Sequence, residues 1–182
     1  VRLLLWLTAA RIAAVPVVMA LVLVWTDEPA VMAVAAGLFA AAALTDFVDG
    51  YLARKWEATT TLGAFLDTTA DKLLVTGVLV ALVEIGHVWS WAAVVIIGRE
   101  ILVTGLRSVV ASSGASMPSS IWGKLKATVQ FVAITFAILR FDVVLGPLLL
   151  DEWLMLVAVA VTIQSGWGYL ARFRPLLSTQ EG

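Results

Sequence analysis

The chain has 182 residues, 62% hydrophobic and 14% charged, with a net charge of −1 and mean hydropathy +1.00. A soluble domain carries about 25% charged residues, so this composition excludes an ordinary soluble protein. It predicts a single membrane-embedded domain over 1–182, with no room for a second globular unit. The lack of cysteine excludes disulfides, thiolate metal sites and cysteine nucleophiles.

A spanning helix needs about 20 mainly apolar residues. Six stretches meet this approximately: 4–25, 30–53, 62–85, 88–110, 121–141 and 150–172. The expected fold is therefore all-α, an integral membrane bundle of six transmembrane helices; the apolar runs are too long and alanine-rich for strands. The first run continues well beyond a signal-peptide core and reads as a span. Asp27-Glu28-Pro29 separates the first two spans, and Arg54 to Thr61 the next two. Ile85-Gly86-His87 predicts a tight turn before the fourth. Ser112 to Ser120 is the longest polar connection, and Phe141 to Asp151, with Gly146 and Pro147, turns into the last span.

Charge sets the orientation. Arg2, Arg11, Arg54, Lys55, Lys72, Arg107, Lys124, Lys126, Arg172 and Arg174 fall toward one side, with Arg99 leaning the same way from inside the fourth span. Arg140 falls opposite, among Asp27, Glu28, Glu84, Asp142, Asp151 and Glu152. The positive-inside rule then puts both termini in the cytoplasm of a multi-pass protein of the cell's inner (plasma) membrane. Trp6, Trp25, Trp56, Trp89, Trp122 and Trp153 lie near span ends, as interface anchors do. His87 sits on the acidic side and reads as a loop residue.

Four aspartates stand in one 26-residue window: Asp46-Phe-Val-Asp49-Gly50-Tyr-Leu-Ala53-Arg54, then Gly63-Ala-Phe-Leu-Asp67-Thr-Thr-Ala-Asp71. Residues three and four apart share a helix face, so Asp46, Asp49, Gly50 and Ala53 form one stripe, and Gly63, Asp67 and Asp71 another. An isolated aspartate near a helix end often only snorkels to the interface. Two such pairs with matched small residues argue for function, since intramembrane carboxylates are costly. Two ionised carboxylates at about 4 Å repel by roughly 4 kcal/mol at an effective dielectric near 20. The crowd therefore needs cations or protons. All-oxygen ligands favour Mg²⁺, Mn²⁺ or Ca²⁺ over zinc, and two Mg²⁺ would balance the charge and clamp a displacement at phosphorus. Gly50, Ala53 and Gly63 clear room for a phosphate-bearing ligand, and Arg54 is suited to grip it.

The pattern D-x₂-D-G-x₂-A-R-x₈-G-x₃-D-x₃-D resembles, at every fixed position, the signature of the CDP-alcohol phosphatidyltransferase family. That resemblance implies a six-helix membrane enzyme, here one catalytic domain, which moves a phosphatidyl or phospho-alcohol group from a CDP-linked donor to an alcohol and releases CMP. Arg99-Glu100-Ile-Leu-Val-Thr-Gly105-Leu-Arg107, Trp122-Gly123-Lys124-Leu-Lys126 and Ala-Asp71-Lys72-Leu resemble the branch of the family that uses sn-glycerol 3-phosphate. The likeness runs from about Thr8 to Ala137 and fades in the sixth span. Before the first span, that branch has Pro-Asn-x-Leu-Thr-x-x-Arg. This chain keeps Thr8 and Arg11 but has Leu4 and Leu5 at the first two positions.

The resemblance also implies roles. Asp46, Asp49, Asp67 and Asp71 would hold two Mg²⁺, with Mn²⁺ as the alternative, and Asp71 would also act as general base. Thr45, Asp49, Gly50, Ala53, Arg54 and Gly63 would border the donor, CDP-diacylglycerol. No serine, cysteine or histidine accompanies the motif, which favours direct attack over a covalent phosphatidyl-enzyme. The acceptor phosphate needs cations held away from the metals. Arg99, Arg107, Lys124 and Lys126 are the candidates, against a reading of the two lysines and Arg107 as topology signals alone. An arginine deep in a span is harder to explain by topology, so Arg99 is either functional or paired with Glu100. A homodimer in the lipid bilayer is expected, with no nucleic-acid partner. Sibling acceptors, phosphatidylglycerol or inositol phosphate, stay open, as does a divalent-cation transporter, although transporters place such ligands near mid-bilayer.

Overall fold

The structure, a computed structural model, describes residues 2–55, 61–112 and 121–178. Within them the side chains of 2–5, 46–55, 61, 62, 64, 67, 121, 124 and 172–178 lie outside the description. Six helices occur among the described residues: α1 (Arg2–Val24), α2 (Pro29–Lys55), α3 (Thr61–Glu84), α4 (Ser90–Ser112), α5 (Ile121–Leu139) and α6 (Leu150–Ser178). A two-residue antiparallel ladder, β1 (Val144–Leu145) with β2 (Leu148–Leu149), fills the α5–α6 connection.

Local chemistry sets the breaks. Pro29 takes the first position of α2, where its missing N–H costs nothing. α3 ends in a Schellman motif: the His87 N–H donates to Leu82 O at 2.9 Å and the Gly86 N–H to Val83 O at 3.1 Å. Gly86 has φ 75°, the left-handed conformation that motif requires. Gly146, φ 67°, followed by Pro147 has the φ signs of a type II′ turn and closes the small hairpin. That connection was expected as a plain turn; a ladder this short leaves no alternating pattern to detect. At the start of α6, Asp151 and Glu152 complement the helix dipole, and the Glu152 carboxylate accepts the Leu149 N–H at 2.8 Å.

α1 packs on α3 and α2, α5 on α6 and α2, and α4 on α6. The core between them holds Val18, Val22, Phe39, Leu74, Leu79, Leu82, Ile96, Ile134, Ile138 and Met155. Small residues let the backbones approach, as membrane helices require: Ala35, Ala36, Ala133, Ala137 and Ala158 are all buried. Gly77 is the tightest case, since a Cβ there would stand 2.8 Å from Val15 Cγ1 and 2.9 Å from Met19 Sδ, pressing α3 into α1.

The outer surface is apolar. Val94, Ile101, Val109, Val132, Val157 and Ile163 are all exposed, a surface that belongs in lipid rather than water. Trp6–Val24, with mean hydropathy 2.3, and Leu150–Ala171, with 1.5, are long and apolar enough to cross a bilayer; Pro29–Thr45 and Leu125–Leu139 are shorter apolar stretches. α3 and α4 are diluted by Asp71 and Lys72, and by Arg99, Glu100 and Arg107. The six expected helices are therefore present, while length and apolarity alone support two of them as membrane-crossing. Trp6, Trp25, Trp122 and Trp153 are exposed and Trp89 is half-buried; Trp56 lies outside the described residues.

Candidate active site

The four aspartates fall near the C-terminal end of α2 and in the first half of α3. Asp46, Asp49, Gly50, Ala53 and Arg54 belong to α2, and Asp67 stands one turn before Asp71 in α3. The side chains of Asp46, Asp49, Ala53, Arg54, Asp67 and Lys124 lie outside the description. Asp71 is described and is half-buried. It lines a cleft with Lys72, Val75, Glu100, Lys126, Ala127, Gln130 and Phe131, so α3, α4 and α5 converge there.

The cleft is a charged site in an apolar bundle. The charged neighbours of Asp71 are Lys126, Lys72, Glu100 and Arg11. Arg11 is 2% exposed, carried into the interior on α1 beside the buried Thr8. Lys72 folds back on its own helix, its Nζ donating to Thr68 O at 3.3 Å. Lys126 is buried, and its ammonium donates to Glu100 Oε1. Arg99 reaches the same oxygen, Nη1 to Oε1 at 3.1 Å, and donates through Nη2 to Ser165 Oγ on α6 at 2.6 Å. One carboxylate oxygen thus joins two cations from α4 and α5. Gln130 Nε2 donates to Thr162 Oγ1 at 2.7 Å, and Thr162 donates in turn to Ala158 O at 2.6 Å, fastening α5 to α6 below the charges.

Arg107 stands two turns beyond Arg99 on α4. Its Nη2 donates to the Tyr169 hydroxyl at 2.6 Å, and its guanidinium carbon lies over the Tyr169 ring, 5.2 Å from the centroid. The Arg99 guanidinium carbon lies over the same ring at 5.4 Å. Both distances fall within the range of cation–π attraction.

The structure thus brings Asp71 and Lys126 into one cleft, and Arg99 and Arg107 onto one aromatic ring. Arg99 is paired with Glu100, one of the two roles its position allowed. Lys126 is buried and paired with Glu100 inside the bundle. Thr45 is half-buried, with its hydroxyl donating to Ala42 O at 2.8 Å, and Gly63 lies in the first turn of α3. Sequence reasoning overlooked Glu100, Ser165 and Tyr169 as site residues. Glu100 did carry a signal, being a carboxylate inside a span. Ser165 and Tyr169 gave none, since their partners lie 66 and 62 residues away.

The chain belongs to the CDP-alcohol phosphatidyltransferase family, whose profile matches residues 5–164. This is a membrane-associated family that uses a divalent metal. The chain is 39% identical over 186 residues to the CDP-diacylglycerol–glycerol-3-phosphate 3-phosphatidyltransferase of Bacillus subtilis, covering 95% of both chains. It is 36% identical to the enzyme of that name from Rickettsia bellii, over 90% of this chain and 91% of that one. The counterpart from Pseudomonas fluorescens is 41% identical over 80% and 77%.

A divalent metal fits the residues at hand. Among the described side chains no group of three carboxylates or histidines stands together. Asp71, however, opens on the cleft, and the register of α3 places Asp67 one turn away. Oxygen donors of this kind suit a hard cation.

Proposed function

We propose that this chain transfers the phosphatidyl group of CDP-diacylglycerol to sn-glycerol 3-phosphate, giving phosphatidylglycerophosphate and CMP. The observation that carries the reading is a cleft at which the last aspartate of the family signature, Asp71, meets Lys126 and Glu100. A proton acceptor and a phosphate-binding cation are both needed at such a place.

In this reading Asp46, Asp49, Asp67 and Asp71 would hold two Mg²⁺, with Mn²⁺ the alternative, which would supply charge neutralisation for the donor phosphates. Asp71 takes the proton of the acceptor hydroxyl. The hydroxyl oxygen bonds to the lipid-bearing phosphorus, and the bond from that phosphorus to CMP breaks with its electron pair leaving on CMP. Thr45, Asp49, Gly50, Ala53, Arg54 and Gly63 border the donor. Arg99, Arg107, Lys124 and Lys126 receive the acceptor phosphate. Lys126 has three donors, so it can hold Glu100 and a phosphate oxygen together. The wider setting is one catalytic domain of six spans in the inner membrane, a homodimer, with the start of α1, the end of α6 and the cleft on the cytoplasmic side. Lipid substrate then arrives sideways from the bilayer and the polar alcohol from water.

The test is CMP release by purified protein given CDP-diacylglycerol, Mg²⁺ and a panel of acceptors. Release with glycerol 3-phosphate alone is expected. Release only with phosphatidylglycerol or inositol phosphate would reassign the acceptor. No release with any acceptor, together with metal flux in liposomes, would replace the enzyme by a transporter.

A further inference from the structure

Tyr169 lies on α6 just beyond the residues the family profile matches, and it is 2% exposed. A buried tyrosine needs a partner for its hydroxyl, and here it accepts a charge-assisted hydrogen bond from Arg107 Nη2 at 2.6 Å. The same ring lies under both the Arg107 and the Arg99 guanidinium carbons, at 5.2 and 5.4 Å. Two like charges drawn to one ring repel each other. The electron-rich face of the ring offsets part of that cost, and Glu100 offsets more on the Arg99 side. Arg107 has no carboxylate within ion-pair distance among the described residues, and the Nε–H of Arg99 is buried without an acceptor among them. Ser165, one turn before Tyr169 on α6, fixes the other edge of Arg99. α6 therefore collects two guanidiniums and leaves donor capacity on them, an arrangement suited to a phosphate.

We propose that Tyr169 is a positioning residue for the acceptor alcohol. It holds the Arg107 and Arg99 guanidiniums where they receive the acceptor phosphate, and so sets affinity for the phosphorylated alcohol without touching the reacting atoms. This rests on the reading that those arginines bind that phosphate. An arginine released from the ring must be ordered again when substrate binds, and that cost falls on acceptor affinity.

The experiment compares Tyr169→Phe, Tyr169→Leu, Arg107→Gln and the Tyr169→Phe/Arg107→Gln double variant by steady-state CMP release, with thermal unfolding as the folding control. Tyr169→Phe keeps the ring and loses the hydroxyl. Its KM for glycerol 3-phosphate should rise roughly 3- to 10-fold, with kcat and the KM for CDP-diacylglycerol within about twofold. Tyr169→Leu should raise the acceptor KM further, by about 10- to 30-fold, because the ring is lost as well. Adding Tyr169→Phe to Arg107→Gln should change little, since the two residues act through one contact. An unchanged acceptor KM in Arg107→Gln would overturn the acceptor-phosphate reading, and this proposal with it. A raised KM in Arg107→Gln beside wild-type values in both Tyr169 variants would overturn the positioning role alone. Equal losses in kcat and in both KM values for Tyr169→Phe would mark a merely structural residue and also overturn it. Should Tyr169→Leu fail to fold, Tyr169→Phe decides.

Discussion

Among the described side chains two charged clusters stand out, one at each end of the bundle, and they are built on different plans. At the end away from the aspartates, Arg140 donates to Asp151 Oδ2 at 3.2 Å, stands 4.0 Å from a Glu152 oxygen, and donates to His87 O at 3.4 Å. One cation is shared by two carboxylates and a carbonyl, all close to the α5–α6 turn or the α3–α4 turn. Arg140 even adopts φ 44°, a left-handed conformation unfavourable for a residue with a Cβ. At the other end, Arg11, Lys72, Arg99 and Lys126 surround Asp71 and Glu100 among the described side chains, and Arg107 joins Arg99 on the Tyr169 ring. The residues come from α1, α3, α4 and α5, and the group opens on a cleft. The first cluster fastens two turns together, with the Asp151 Oδ1 buried beside it without a hydrogen-bond partner among the described residues. The second draws its charges from four helices around that cleft.

Breaking each cluster should therefore have different consequences. Arg140→Ala leaves the Asp151 carboxylate, 2% exposed, without its partner. Removing one member of a buried pair costs about 3 kcal/mol or more, so thermal unfolding should occur at clearly lower temperature while KM and kcat of the folded fraction stay unchanged. A variant as stable as wild type would show that the Arg140 cluster fastens nothing. Lys126→Met should do the reverse. Losing a charge-assisted contact to the acceptor phosphate should raise the KM for glycerol 3-phosphate by about 10- to 100-fold, with a smaller effect on unfolding, because Glu100 keeps Arg99. Unchanged acceptor KM would remove Lys126 from the site.

The smallest effect is that of His87. Its Nδ1 lies 2.9 Å from Ala137 O, to which it donates as N–H. Burial pulls its pKa below the ordinary 6.5, against the opposing effect of that hydrogen bond. The folded protein thus resists a proton that the unfolded chain accepts. The contribution to stability is complete above about pH 6.5 and is lost as pH falls toward the folded pKa. Unfolding temperature should decline slightly from pH 7 to 5.5, and His87→Gln should flatten that part of the decline. An identical pH profile in the variant would discount the histidine.

Much of this was legible in the sequence because it is local. The helices follow from apolar length and from Asp27-Glu28-Pro29, Gly86-His87 and Gly146-Pro147 between them, and their ends fall within a few residues of expectation. α6 is the exception, running to Ser178, because its polar end continues a helix that hydropathy alone would stop. The placement of Asp67 and Asp71 on one stripe needs only the helix period. What sequence does not encode is the rotation and depth of one helix against another. Without it the pairing of Lys126 with Glu100, 26 residues apart, could not be read, nor the meeting of Arg99 and Arg107 on Tyr169. Both facts decide which cations are paired inside the protein.

The central claim is that the Asp71 cleft is where the acceptor loses its proton and gains the phosphatidyl group. Its most direct test is Asp71→Asn, assayed for CMP release with CDP-diacylglycerol and glycerol 3-phosphate, alongside Mn²⁺ binding and thermal unfolding. Turnover should fall by about 10²- to 10⁴-fold while the protein stays folded and largely keeps its metal. Wild-type turnover in Asp71→Asn would contradict the claim.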